Sequence, residues 1–526
     1  MRLRRITLVL VTATIVVSSC KFACAQRTEL GSVDSAGVQG NNDSGYYGIS
    51  ISADGRFVAF ESFASNLVSG DTNGAADVFV HDRLTGTTER VSIDSAGMQA
   101  NGIYPSISGD GQFVAFESAA SNLVSGDTNG AYDVFVHDRK SGTTERVSVD
   151  SAGTQGNSDC IRASISADGR FVAFDSYASN LVSGDTNQWS DVFVHDRQTG
   201  TTERVSVDSA GTQGDGGSGT ASITADGRFV AFESSSTNLV PGDTNGGGSD
   251  VFVHDRQTGI TERVSVDTAG TQANSWSASA SISADGRFVA FQSFASNLVP
   301  GDTNGTYDIF VHDRQTGTTE RVSVDSAGTQ ASGASVRASI SGDGRFVSFV
   351  SSASDLVSGD TNGTYDVFVH DRESGATRRV SIDSMKTEGN DESGGASISI
   401  DGRSVAFASF ASNLVSGDTN GTYDVFVHGP YLTLEADPHS PPAGATLTFS
   451  TWTGAAGGLS LLVVTDINGT SLFVPVMIGA FDTNGLWTLS GTVPSGLSGT
   501  VATFETFGII PTGKVGASNL VAVSFQ

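Results

Sequence analysis

The chain repeats itself seven times. A motif of the form Ser/Thr-x-Asp-Gly-Arg/Gln returns with its aspartate at Asp54, Asp110, Asp168, Asp226, Asp285, Asp343 and Asp401, at intervals of 56, 58, 58, 59, 58 and 58 residues. In the first copy the order is SISADGRFVAFES, then FASNLVSGDTNG, then ADVFVHDRLTGTTERVSID. So regular a period means one supersecondary unit stacked on copies of itself, because a single unit cannot bury its own apolar faces. Each unit divides into four short strands, ISIS, FVAFES, DVFVHD and TTERVSID, separated by an Asp-Gly turn, a longer loop and a Thr-Gly turn. Side chains alternate between strand faces, so FVAF and VFV place apolar groups on both. Such sheets must be covered on both sides, which radially arranged four-stranded blades achieve.

The two ends of the array complement each other. The last repeat reads DVFVHGPYLTLEAD and lacks TTERVS, whereas RTELGSVDSAGVQG at residues 27–40 matches TTERVSVDSAGTQG of the other copies. Pairing residues 28–34 with the last repeat supplies the missing outer strand and removes an exposed edge. An open solenoid would need capping elements, and the sequence offers none. The predicted fold is all-β: a seven-bladed β-propeller over 26–430, closed by an N-terminal outer strand, then a small β-sandwich over 431–526.

Composition and the N-terminus narrow the setting. The formal net charge is -28, which opposes nucleic acid as a partner because phosphate-binding surfaces need concentrated positive charge. Arg2, Arg4 and Arg5 precede the apolar run ITLVLVTATIVV, and Ala23-Cys24-Ala25 supplies small residues for cleavage, so residues 1–25 read as a signal peptide. The run is too short for an ordinary membrane span, and none is expected in the mature chain. The expected location is secreted or periplasmic. The competing reading takes VSSC, residues 17–20, as a lipoprotein signal that anchors the chain through Cys20. Cleavage at Ala25 leaves Cys160 alone, so no internal disulfide forms; it reads as a substitution in a variable loop.

SISADGRFVAF, SNLVSGDTNG, DVFVHDR and TGTTERVS resemble the WD40-like propeller repeats of the TolB family and of many bacterial exported proteins. The resemblance covers about three quarters of the chain and implies a fold, since propellers serve as scaffolds, receptors and enzymes alike. TolB itself looks like a six-bladed propeller behind an N-terminal domain, so its partner does not transfer. After Gly429 the composition changes to short alternating strands such as LSLLVVTDI, SLFVPVMI and LVAVSFQ. That region is similar to the Ig-like modules that follow propellers in some bacterial envelope proteins.

The long loops carry the most suggestive chemistry. Each holds paired carboxylates with an asparagine between them: Asp71, Asn73, Asp77; Asp127, Asn129, Asp133; Asp185, Asn187, Asp191; Asp243, Asn245, Asp250; Asp302, Asn304, Asp308; Asp360, Asn362, Asp366; and Asp418, Asn420, Asp424. Calcium takes six to eight hard oxygen ligands, a number these groups approach with carbonyls and water. The spacing resembles a shortened integrin-type calcium loop without its central aspartate. The alternative needs no ion: an aspartate that caps its own turn, an Asn-Gly left-handed bend and a second aspartate at the strand entry. Gln188 replaces the glycine in the third copy and the fourth has an extra residue, which suits turns better than a strict cage.

His81, His137, His195, His254, His312, His370 and His428 recur once per blade, too far apart to share a zinc ion. They are expected to bond the neighbouring aspartate or a turn carbonyl. Pairs such as His81 and Asp82 leave the strand in opposite directions and make poor catalytic relays. The inner strands place small residues where a propeller enzyme would gather acids and bases, and Asp391 beside Glu392 is too weak a pair to nominate. No catalytic residue is assigned. The copies differ mainly in the crossovers between blades, where Tyr46, Tyr47, Tyr104, Trp189 and Trp276 offer aromatic surfaces for a sugar or a protein contact. The leading expectation is an exported, non-catalytic binding scaffold for a protein or an envelope polysaccharide. A propeller-type polysaccharide lyase or glycoside hydrolase, and a calcium-stabilised extracellular structural protein, are the alternatives.

Overall fold

The computed structural model describes residues 27–245 and 248–429, and beyond them the backbone of seven strands between Leu434 and Ser524. Every described element is a strand. Gln26–Pro430 is one compact unit, a seven-bladed β-propeller. In blade 1 the strands run outward from the axis as Ser44–Ile51, Phe57–Ser62, Asp77–Asp82 and Thr87–Arg90, each antiparallel to the next. Five further blades repeat that order. The seventh pairs Ser393–Ile398, Val405–Ser409 and Asp424–Gly429 with Arg27–Leu30 as its outer strand, in the register Thr28 to His428 and Leu30 to Phe426. The expected closure is present, with its strand one residue earlier and three shorter than residues 28–34.

Outer strands are shorter than TTERVSID suggests. Only four residues pair, as in Thr87–Arg90, because the next ones are used elsewhere. Ser92 donates its hydroxyl to Asp77 at 2.8 Å, and the carbonyl of Ile93 accepts a bond from Thr144 of the following blade at 2.5 Å.

Blades pack through both faces of their middle strands. Phe60 and Phe79 lie directly opposite in the ladder and stack at 6.0 Å, a pair repeated in every blade. Ala59, Val78, Val80 and Val91 of blade 1 form one core cluster with Val114, Phe116 and Phe135 of blade 2. Burying a side chain of this kind contributes about 1.5–3 kcal/mol, so each inter-blade seam is as apolar as a domain core.

The Asp-Gly-Arg-Phe motif is a junction device. Asp54 accepts the Arg56 N–H at 3.0 Å and so holds the turn. Arg56 then makes a two-pronged ion pair with Asp82, at 2.8 and 2.7 Å. Phe57 lies between two guanidinium groups, Arg56 at 4.6 Å and Arg139 of the next blade at 4.4 Å from its ring centre. The following blade must approach that ring with bare backbone: a Cβ on Gly111 would sit 2.2 Å from Phe57, and its φ is +73°. Gly126 has φ +81° but nothing within 4 Å. Gly126→Ala is therefore expected to cost about 1 kcal/mol from backbone conformation alone. Gly111→Ala should cost about 3 kcal/mol or more, because the ring must also move. Urea unfolding of the two variants measures the difference.

Beyond the propeller the backbone forms a three-stranded sheet, Leu434–Asp437 beside Thr446–Trp452 beside Leu486–Thr492. A four-stranded sheet follows in the order Thr470–Ala480, Leu459–Ile467, Val501–Ile509, Val515–Ser524. The leader expected at 1–25 and the side-chain packing of an Ig-like core at 431–526 lie outside the described residues.

Candidate functional site

The histidines belong to the framework. His81 Nδ1 lies 2.9 Å from Thr88 Oγ1, whose hydroxyl donates to the carbonyl of Val33 in the preceding blade at 2.5 Å. The threonine has spent its only proton, so the imidazole donates from Nδ1. The partner is thus an outer-strand threonine, not the aspartate or turn carbonyl expected from the sequence. Burial lowers the proton affinity of these rings, and takes His428 down to about 3, which keeps it neutral. Cys160 is likewise not a loop residue. It begins an inner strand, fully buried, with Sγ 3.1 Å from Ser176 Oγ, where other blades place a serine. Burial pushes its thiol up to about 12, so it is inert as a nucleophile.

Each long loop does bring its two carboxylates together, around donors from its own repeat. In blade 1 Gln99 Nε2 donates to Asp71 at 2.7 Å and to Asp77 at 2.9 Å, while Gln99 Oε1 accepts the Thr72 N–H at 3.2 Å and fixes the amide orientation. The same double bond recurs at Gln213, Gln272, Gln330 and Gln39. Arg90 adds its guanidinium at 3.7 and 3.6 Å from the two carboxylates. Asn73 donates its amide to Asp77 and turns its oxygen to the Ala75 N–H. Blade 6 departs: Glu388 replaces the glutamine and forms a cluster with Asp360 and Asp366 within 4.8 Å. Arg379 stands among the three, at 2.5, 3.5 and 3.2 Å.

The channel has two different ends. At the Asp-Gly-turn end it is lined by Ile51, Ile107, Ile165 and their counterparts with small residues such as Ala53 and Gly109, a cavity of about 140 Å³ without acids or bases. The opposite mouth is built at a bulge near the start of each inner strand. In blade 3 the pairing slips between Ile161 and Ser164, and Arg162 takes φ 55°. Tyr104, Thr220, Ser279 and Arg337 take 51–56° at equivalent places, and Gly395 takes 61°. Left-handed backbone is uncommon for any residue with a Cβ, and more so for a β-branched threonine. Neighbouring positions touch around the axis, as where Arg162 Nη1 donates to Thr220 Oγ1 at 3.2 Å. The inner strand of blade 1 has eight residues against six in blade 3, and the bulge there carries Tyr46 and Tyr47.

The aromatics divide. Tyr46, Tyr47 and Tyr104 join a continuous cluster: Tyr46 meets Tyr47 at 5.2 Å and Tyr423 at 5.7 Å, and Tyr47 meets Tyr104 at 5.7 Å and Phe63 at 6.4 Å. Phe410 extends it through Tyr423 at 5.4 Å. Tyr46 is 61% exposed and Tyr47 41%. Trp189 and Trp276 are as exposed but lie apart, on the long loop of blade 3 and the crossover into blade 5, with no ring contact among the described residues.

Beneath the mouth lies a set of carboxylates that the sequence reading missed. The left-handed N–H groups of Arg162, Thr220, Ser279 and Arg337 donate to Glu117, Asp175 (2.8 Å), Glu233 (2.9 Å) and Gln292 (3.0 Å) of the preceding blades. Glu61 instead accepts from Tyr47 and Gly48 at 2.5 and 2.8 Å. The available signal was the fifth position of FVAFES, FVAFDS and FVAFQS, a polar residue in an otherwise apolar buried strand. Burial pushes Glu61 and Asp175 up to about 8 and Glu117 up to about 7. Around Asp175 the facing charges are Arg162, which favours ionisation, and Glu233 and Glu117, which oppose it.

An acid whose folded pKa lies above its unfolded value holds its proton first in the folded state. Its contribution to stability is then greatest below the unfolded value and falls as pH rises toward the folded one. Asp175→Asn removes one such slope. Its stability relative to the wild type should rise by roughly 3–4 kcal/mol between pH 5 and pH 8 in denaturant titrations.

No family model and no curated protein sequence matches the chain. Among solved structures, one described as TolB of Agrobacterium tumefaciens is 15% identical, covering 66% of this chain and 95% of its own at a TM-score of 0.36. The periplasmic gluconolactonase of Pseudomonas aeruginosa is 16% identical, covering 86% and 95% at a TM-score of 0.33. The propeller architecture stands on the strand pairing itself, and these likenesses add nothing about ligand or chemistry. No described helix is long and apolar enough to cross a membrane.

Proposed function

We propose that the chain is an exported, non-catalytic binding scaffold that holds a protein or an envelope polysaccharide at the aromatic channel mouth. The observation that carries this reading is the position of the aromatic cluster. Among the described residues blade 5 has one exposed ring contact, Phe294 with Tyr307, whereas a continuous cluster of rings forms where blades 7, 1 and 2 meet. Rigid amphipathic rings lose little conformational entropy on contact and suit either ligand. On the same reading residues 1–25 are a signal removed at export, or an anchor through Cys20, and 431–526 are an Ig-like accessory module.

The lyase or glycosidase alternative draws on the carboxylates of raised proton affinity near the mouth. Glu61, Glu117 and Asp175 are only 1–2% exposed and bond backbone amides, so a substrate would find no carboxylate oxygen open to solvent. Burial speaks for binding. The test is Tyr46→Ala, Tyr47→Ala and Tyr104→Ala combined, measured on immobilised envelope polysaccharide and envelope protein. Binding should fall about tenfold or more, with the variant still folded at the assay temperature and the polysaccharide unshortened. Equal binding by wild type and variant would overturn the reading.

The acidic loops act, on this reading, as internally neutralised turns. Their carboxylates already face amide and guanidinium donors, which an ion would have to displace. Calcium in the millimolar range, added to chelator-treated protein, should leave the melting temperature unchanged within the effect of magnesium. A selective, saturating rise would restore the calcium-stabilised alternative.

A further inference from the structure

Arginine in these repeats is regularly committed to a carboxylate. Arg56 pairs with Asp82, Arg139 with Glu89, and Arg90 with Asp71 and Asp77, and the pattern recurs from blade to blade. Arg162 and Arg337 break it. Both are exposed, and among the described residues neither has a carboxylate within salt-bridge distance. They occupy the same left-handed position at the channel mouth, in blades 3 and 6. The acids beneath Arg162 make no ion pair with its guanidinium: Glu117 accepts the Arg162 backbone N–H, Asp175 accepts that of Thr220, and both are closed to solvent. Arg162 reaches only a hydroxyl, Thr220 Oγ1 at 3.2 Å, and two exposed cations on strained backbone without an ion-pair partner leave charge for something outside the chain.

We propose that the channel mouth binds an acidic polysaccharide, with Arg162 and Arg337 receiving uronate carboxylates and Tyr46, Tyr47 and Tyr104 stacking on the sugar rings. This rests on the scaffold reading and narrows its ligand. Guanidinium groups match carboxylates in plane and in pairs of bonds. Thr220 and Ser279, at the ring positions between the two arginines, offer hydroxyls to a hydroxyl-rich polymer. An acidic peptide fits less well, because a peptide docks best where backbone groups are free to pair. Here the N–H groups of Arg162, Thr220, Ser279 and Arg337 are already bonded inward. The net charge of -28 repels a polyanion at long range. Salt of physiological strength confines that repulsion to about 8 Å, so contacts at the mouth decide binding.

The experiment is calorimetric titration of the full chain with oligogalacturonate, with dextran as neutral glycan and poly-glutamate as acidic peptide. The variants are Arg162→Gly and Arg337→Gly. Glycine relieves the left-handed backbone, as Gly395 does in blade 7, so both should melt at or above the wild-type temperature. Oligogalacturonate should bind, dextran should not, and each glycine variant should weaken binding by about tenfold or more. Dextran binding as tightly, or arginine variants binding as wild type, would sink the acidic class while leaving the scaffold reading intact. Poly-glutamate binding as tightly would replace the glycan with a peptide. Loss of no affinity in the tyrosine variant would remove the scaffold reading itself.

Discussion

The propeller depends on closing a ring, and it does so with two concentric circles of hydrogen bonds. The outer circle links a histidine, a threonine and the carbonyl of the preceding blade. It has seven links, the last made by Thr28 of the closing strand to Ile382 and His428. The inner circle runs through the ASIS strands, where Ser50 accepts the N–H of Ile107 at 3.1 Å and Ala53 donates to Gly109 at 3.0 Å. It joins blade 1 to 2 and so on to blade 7. Among the described residues neither kind of inner bond joins blade 7 back to blade 1. The small residues of the inner strand thus leave the wall free for stitching, and that chemistry stops at one seam.

That seam also lacks a Phe–guanidinium junction. Blade 7 has Ser404 where the others have phenylalanine, so Arg83 of blade 1 meets a hydroxyl at 3.5 Å in place of a ring. Above it lie Tyr46, Tyr423 and Phe410, packed edge to face. Edge-to-face pairs contribute about 0.5–1.5 kcal/mol beyond burial, enough to offset a few missing bonds. The aromatic mouth therefore has two consequences at once. It bridges the junction that repeat symmetry leaves weakest, and it is the place where the surface departs furthest from that symmetry.

Much of this was legible in the residues. The period fixes the blade count, the displaced TTER segment predicts the closing pair, and apolar groups on both strand faces demand radial packing. Tyr46, Tyr47 and Tyr104 could be nominated because the crossovers vary. What escaped were features that sequence neighbours do not encode. The histidine partner lies on an adjacent strand seven residues on, and the Ile93 carbonyl is taken by another blade. The bulge was hidden most completely: Tyr, Arg, Thr, Ser and Arg occupy a conformation that sequence rules reserve for glycine.

The buried acids explain how that conformation persists. A left-handed residue with a Cβ costs about 1–2 kcal/mol, and a hydrogen bond contributes about 0.5–1.5 kcal/mol with a neutral acceptor and about 1.5–3 kcal/mol with a charged one. Where Glu117, Asp175, Glu233 and Gln292 supply the acceptor, the residue opposite is Arg, Thr, Ser or Arg. In blade 6 the acceptor position is Val350, and the residue opposite it in blade 7 is Gly395, which needs no such support. The second-strand polar group thus holds the backbone and leaves the side chain above it free to differ. Seven nearly identical blades can then present a mouth whose positions range from guanidinium to phenol to hydroxyl to bare backbone.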